Sequence, residues 1–168
     1  MTSHPAPLAA RFEAYCPSGE VLHAMRFRWQ RPVEQWYCKD CVEVCLVVDG
    51  QGSLEEPPDR RVELRPGDGY LVAASIPYRV RPHPLLGLVE QRALCQIDWA
   101  EAVAARYRPP PPWAAGPVAS RRPCHSTRFA QWRQRLSDLM AGRVDLLAAE
   151  AFLVDVLDGW RGQTQGPY

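Results

Sequence analysis

From residue 41 to 48 the chain reads Cys-Val-Glu-Val-Cys-Leu-Val-Val, with aliphatic side chains at every second position and a mixed set between them. A period of two places alternate residues on opposite faces of an extended strand. The same pattern recurs in short runs bounded by Gly, Pro and Asp. It predicts strands over 11–16, 21–29, from about 33 to 49, 53–55, 61–64, 70–74 and 78–81. One or two more follow over 85–99, with Gly87 as a bend. The turns are Pro17-Ser-Gly-Glu, Gly50-Gln-Gly, a polar tip at 56–60 and Leu64-Arg-Pro-Gly-Asp. Many short strands with turns at this spacing predict a small antiparallel β-barrel.

The period changes after Trp99. Residues 100–107 suit a short helix, and Arg108-Pro-Pro-Pro-Pro-Trp cannot form regular structure. Beyond Pro123 apolar residues recur at helical spacing. Phe129, Trp132, Leu136, Leu139 and Met140 share one face, capped near Ser126 or Thr127 and stopped by Gly142. Leu146, Ala149, Leu153, Val156, Leu157 and Trp160 form a second stripe. So short a turn makes the two helices antiparallel. Their stripes serve packing on the barrel or a dimer seam, the latter with Leu136, Leu139, Leu146, Leu153 and Leu157 as contacts. The expected organisation is a barrel over 1–107, a surface-packed Pro-rich linker over 108–124 and a helix pair over 125–161 within the same domain. Residues 162–168 read as the start of an interdomain linker.

Composition narrows the function. A net charge of +1 advertises no nucleic-acid footprint. No run reaches membrane-spanning length and the start lacks a signal-like segment, so a cytoplasmic protein with no membrane partner is expected. Among 20 basic residues Lys39 is the lone lysine. Six cysteines in a cytosolic chain point to buried thiols, metal binding or redox sensing rather than to disulfides.

Glu43-Val-Cys-Leu-Val-Val-Asp-Gly-Gln-Gly, Leu64-Arg-Pro-Gly-Asp and Ile76-Pro-Tyr-Arg, followed by the helix pair, resemble the N-terminal effector-binding domain of AraC-type transcription regulators. The resemblance covers residues from about 20 to 161. It implies a mainly β fold with C-terminal helices: a cupin-like antiparallel β-barrel of jelly-roll type, then an antiparallel helix pair that dimerises. It also implies a small-molecule effector and no enzymatic activity. Such regulators contact DNA through two helix-turn-helix units. No basic recognition helix follows residue 161, so the chain reads as an excised sensor domain or a naturally short relative.

Metal-dependent cupins carry His, His, Glu and His at fixed places in this motif. Aligned on it, those places hold Tyr37, Lys39, Glu43 and Tyr78, and a lone Glu cannot hold a catalytic metal that needs three or four ligands. No metal or cofactor is therefore expected, and a stand-alone cupin enzyme is disfavoured. Alternation puts Tyr37, Lys39, Cys41, Glu43, Cys45 and Val47 on one face; the resemblance implies that this face looks into the barrel, where a Lys39–Glu43 contact at a wet mouth competes with ligand contact. Tyr37, Lys39, Glu43, Cys45, Tyr78 and Trp99 are the expected ligand-binding residues. An alternative is a metal- or thiol-responsive sensor holding zinc or another soft metal through Cys38, Cys41 and Cys45. Those positions converge only if Lys39-Asp40 turns, since Cys41 and Cys45 lie about 13 Å apart along one strand.

Overall fold

The computed structural model describes residues 10–16, 21–32, 36–107, 122–123, 126–142 and 145–161. Nine strands are present among them: β1 (Ala10–Cys16), β2 (Leu22–Trp29), β3 (Cys41–Gly50), β4 (Gly52–Glu56), β5 (Arg60–Leu64), β6 (Asp68–Val72), β7 (Arg79–Pro82), β8 (Leu88–Gln96) and β9 (Arg122–Pro123). Three helices accompany them: α1 (Ile97–Tyr107), α2 (Ser126–Met140) and α3 (Leu146–Arg161). Residues 1–9, the turn at 17–20, most of the Pro-rich linker and the C-terminal tail lie outside the described residues.

The strands form two sheets. The larger has the order β1-β2-β8-β3-β6-β9 and the smaller β5-β4-β7, all named pairings being antiparallel. They face each other as in a jelly roll, and the Tyr37–Tyr78 bridge ties the segment before β3 to the approach to β7. β3 begins at Cys41, later than the residue near 33 at which a strand was expected. Around Tyr37 that segment makes only the isolated bridge, with reciprocal bonds of 2.7 and 2.9 Å to Tyr78.

Period-two alternation in the large sheet divides two cores. Leu22 and Ala24, Val42, Val44 and Leu46, Leu71, and Ala93 and Cys95 point outward, where α1, α2 and α3 cover them with Val103, Trp132, Leu136, Phe152, Leu153 and Val156. Met25 and Trp29, Cys45 and Val47, Tyr70 and Val72, and Leu88 point inward against Leu54, Leu64 and Val80 of the small sheet.

Two turns require glycine. At Gly50 φ is +76°, and a Cβ there would stand 2.3 Å from the Gly87 carbonyl oxygen. Only a residue without that carbon lets β3 turn into β4 so close to the next loop. In the Leu64–Asp68 turn Gly67 has φ +90°, and the Asp68 carboxylate accepts from the Arg65 amide at 2.7 Å. The helix pair is closed by Gly142 at φ +68°, whose amide donates to the Leu139 carbonyl. α3 is preceded by Asp145, whose carboxylate caps it by accepting from the Ala148 amide at 3.1 Å.

The dimer-seam residues need correction. Leu136, Leu139, Leu153 and Leu157 are buried in the outer core of their own chain, because the helices lay their apolar stripes on the sheet. Of the five only Leu146 is exposed, beside an exposed Leu147.

Candidate functional site

Cross-strand register assembles a polar cluster between the sheets. Cys45 of β3 stands opposite Arg92 of β8 on one side and Tyr70 of β6 on the other. Its same-face neighbour is Glu43, and those of Arg92 include Glu90, so both carboxylates converge on one guanidinium. Arg92 Nη1 donates to Glu43 Oε2 at 2.9 Å, and Nη2 and Nε donate to Glu90 Oε2 at 2.8 and 3.1 Å. Each phenol accepts from Arg92 and donates onward. Tyr78 receives Nη1 at 2.9 Å and gives its proton to Glu43 Oε1 at 2.7 Å. Tyr70 receives Nη2 at 2.7 Å and donates to Glu90 Oε1. Trp29 Nε1 completes the shell of Glu90 at 2.6 Å.

All these groups are almost fully buried, with Glu43, Glu90 and Arg92 at 0–1 % exposure. Unpaired, such charges would be prohibitively unfavourable in an apolar interior, which is why the network is saturated on both carboxylates. Burial pushes the Tyr70 and Tyr78 phenols well above their ordinary value, so both stay protonated and able to donate. Burial alone would lower the Arg92 pKa. The Glu90 carboxylate, the charged group among those that oppose it, helps offset this, and the guanidinium stays charged.

The cluster opens at one end. There Lys39, with a side chain 35 % exposed, reaches down to Glu43 Oε2 at 3.2 Å. Its ammonium stands 5.7 Å from the Tyr37 ring centroid and 5.9 Å from that of Tyr78. Tyr37 also lies 6.0 Å from Trp29 and 5.8 Å from Tyr78, so three aromatic rings line the mouth. The Lys39 backbone is fixed by its carbonyl, which accepts from the Ser75 amide at 2.8 Å. The expected Lys39–Glu43 contact at a wet mouth is present.

Tyr37, Lys39, Glu43, Cys45 and Tyr78 are thus brought together. Trp99 is not. Residues 97–99 open α1 instead of prolonging β8, because the Gln96 side chain accepts from the Trp99 amide at 3.0 Å and Asp98 favours a first helical turn. The Trp99 ring packs with the outer core, on the far side of the large sheet from Glu43.

Cys38 is exposed, Cys41 is at the mouth and Cys45 is fully buried, and no cluster of three metal-ligating side chains occurs among the described residues. Burial, then Glu43, raises the Cys41 thiol from 9.0 to about 11, and burial raises Cys45 and Cys95 well above the ordinary value. Thiols held protonated are poor ligands and nucleophiles. Around Glu43 stand Arg92, Lys39 and the Tyr78 phenol.

Glu90, Arg92, Tyr70 and Trp29 escaped the sequence reading. A signal existed in Glu90-Gln-Arg92, two opposite charges on one face of an otherwise apolar strand, and an unmatched Glu43 needing a buried cation. A cleft of about 200 Å³ lies apart from this cluster, against Trp36, Glu55, Arg60 and Arg79. Its charges neutralise each other, Glu55 pairing with Arg79 and Arg81, and Arg79 stacks on Trp36 at 4.5 Å.

A family model described as the AraC-like ligand binding domain matches residues 19–157. Comparison with curated proteins returned no match. Among solved structures, apo ToxT from Vibrio cholerae superimposes with a TM-score of 0.65 at 5 % identity, covering 87 % of this chain and 58 % of that one. A candidate mannose-6-phosphate isomerase from Ralstonia eutropha gives 0.47 at 23 % identity, covering 57 % and 90 %. An RmlC-like cupin from Desulfovibrio desulfuricans gives 0.43 at 17 % identity, covering 57 % and 97 %. The likeness to ToxT is of fold, and the chain spans little more than half of that structure.

Proposed function

The chain belongs to the AraC-like ligand-binding domain family, and on that premise we propose that it is the small-molecule-sensing and dimerisation domain of a cytoplasmic bacterial transcription regulator. It binds an effector between the sheets and catalyses nothing. In such a regulator, contact with DNA falls to a helix-turn-helix module and not to this ligand-binding domain. The observation carrying this reading is the buried Glu43–Arg92–Glu90 network with Tyr70 and Tyr78, reachable from the Lys39 mouth.

A fold needing only stability would fill this space with apolar side chains, because a buried ion pair seldom outperforms well-packed hydrophobes. A pocket that must recognise something needs a few fixed polar anchors in an apolar lining. Effector binding at the mouth shifts the balance between conformations of the segment before β3, the large sheet and the helices behind it. Dimer contacts fall to the exposed part of the helix pair, at Leu146 and Leu147. No helix of the described residues is long and apolar enough to cross a membrane.

Native mass spectrometry of protein purified without chelator tests the reading. The expected result is a dimer mass with a small-molecule adduct that is lost on Arg92→Met. A strictly monomeric protein that takes up no compound from a metabolite library would overturn it.

A further inference from the structure

Charge counting inside the cluster points to the kind of molecule it takes. Two buried carboxylates, Glu43 and Glu90, face one buried guanidinium, Arg92. The second positive charge comes from Lys39, which reaches in from the mouth. Its ammonium has a carboxylate oxygen at 3.2 Å and two tyrosine faces within 6 Å of their centroids. A carboxylate beside aromatic faces is the arrangement by which proteins recognise ammonium ligands. The chain's single lysine occupies it with its own side chain.

We propose that the mouth of the inter-sheet cluster is an ammonium-binding subsite held by Glu43, Tyr37 and Tyr78, that Lys39 is its built-in occupant, and that the effector is a small organic amine which displaces Lys39. The proposal rests on the sensing function above and names its ligand class. Entry of an anion would set a second negative charge against Glu43, whose other contacts are already saturated. Entry of a neutral molecule would either leave Lys39 in place or strand Glu43 without its second cation. A cation alone can replace Lys39 and keep the interior neutral, while the freed lysine, already one-third exposed, moves into water. The exchange needs little backbone motion, because Lys39 is anchored through Ser75 and its neighbour Tyr37 through Tyr78.

n-Butylamine is the lysine side chain cut free, and at pH 7 it is a cation of the required shape. Isothermal titration is run with butylamine, butanol and butyrate against the wild-type chain and Lys39→Ala, with Lys39→Gln held as a second charge-removing variant should the first not fold. Butylamine is expected to bind Lys39→Ala at least about tenfold more tightly than wild type, since a competitor present nine-tenths of the time lowers apparent affinity by that factor. Butanol and butyrate are expected not to bind, and Glu43→Gln in the Lys39→Ala background is expected to abolish the butylamine signal. If butyrate binds wild type and is lost on Lys39→Ala, the subsite is an anion site; the amine proposal falls and the sensing function stands. Butylamine binding no better than butanol, or equally well with Gln at position 43, also overturns it. If none of the three probes binds any variant, while the metabolite library also yields nothing, both readings fall together.

Discussion

The two faces of the large sheet are built from the same strands and obey opposite rules. On β3, Val42, Val44 and Leu46 enter the outer core while Glu43, Cys45 and Val47 enter the inner one. On β8, Ala93 and Cys95 look outward and Glu90 and Arg92 look inward. The outer core is joined to three helices by apolar packing and holds the domain together. The inner core gives up part of that packing for a network in which each charge depends on its partners. Stability is therefore distributed in the outer core and conditional in the inner one.

The sharpest way to break the comparison is to remove one charge from the inner network. Arg92→Met leaves Glu43 and Glu90 buried without their guanidinium, and is expected to destabilise by about 3–5 kcal/mol in denaturant titration. Replacing Glu43, Glu90 and Arg92 together by apolar residues of similar volume is expected to restore most of that loss. Should the triple replacement be as unstable as Arg92→Met, the network would be a structural necessity rather than a conditional one.

A truncation in the outer core is expected to act differently. Leu136→Ala removes a fully buried side chain from beneath α2 and is expected to cost about 2–5 kcal/mol, with no second change able to restore it by charge compensation. Its effect is expected to add to that of Arg92→Met, because the two lie on opposite faces of the sheet with no shared partner. Coupling above about 0.5 kcal/mol would show that the faces are not independent.

The smallest effect concerns the thiols and leaves stability at neutral pH unchanged. Among the four described cysteines, alkylation at pH 8, mapped by peptide mass spectrometry, is expected at Cys38 first. Cys41 is expected to be slower than a free thiol on the order of a hundredfold, since its pKa near 11 leaves little thiolate. Cys45 and Cys95 are expected to react only on unfolding. The sign of the linked pH effect follows from the upward shift at Cys41. The unfolded chain releases that proton near 9.0 while the folded chain keeps it to about 11, so stability falls between those values and is unaffected below them.

Much of this fold is legible in the chain because its strands report their faces directly. The alternation at 41–48 places Glu43 and Cys45 on one face and the aliphatic residues on the other without any knowledge of neighbours, and the family resemblance says which face looks inward. The turn glycines and the helical stripes are equally local signals. Trp99 was misplaced because an apolar residue at a strand's end can equally begin a helix, and the choice fell to the Gln96 and Asp98 side chains. The leucine stripe of the helices was legible, but its partner was not. An apolar stripe fits the chain's own sheet and a second protomer alike.

By itself, then, the sequence determined which residues alternate, where the chain turns, and that a lysine and a glutamate four residues apart share one face. Only the tertiary structure decided that Arg92, 49 residues after Glu43, reaches its carboxylate from the neighbouring strand and brings Glu90 with it. Strand register is set by the packing of both sheet faces at once, and a charge's partner is whichever strand that packing lays alongside it.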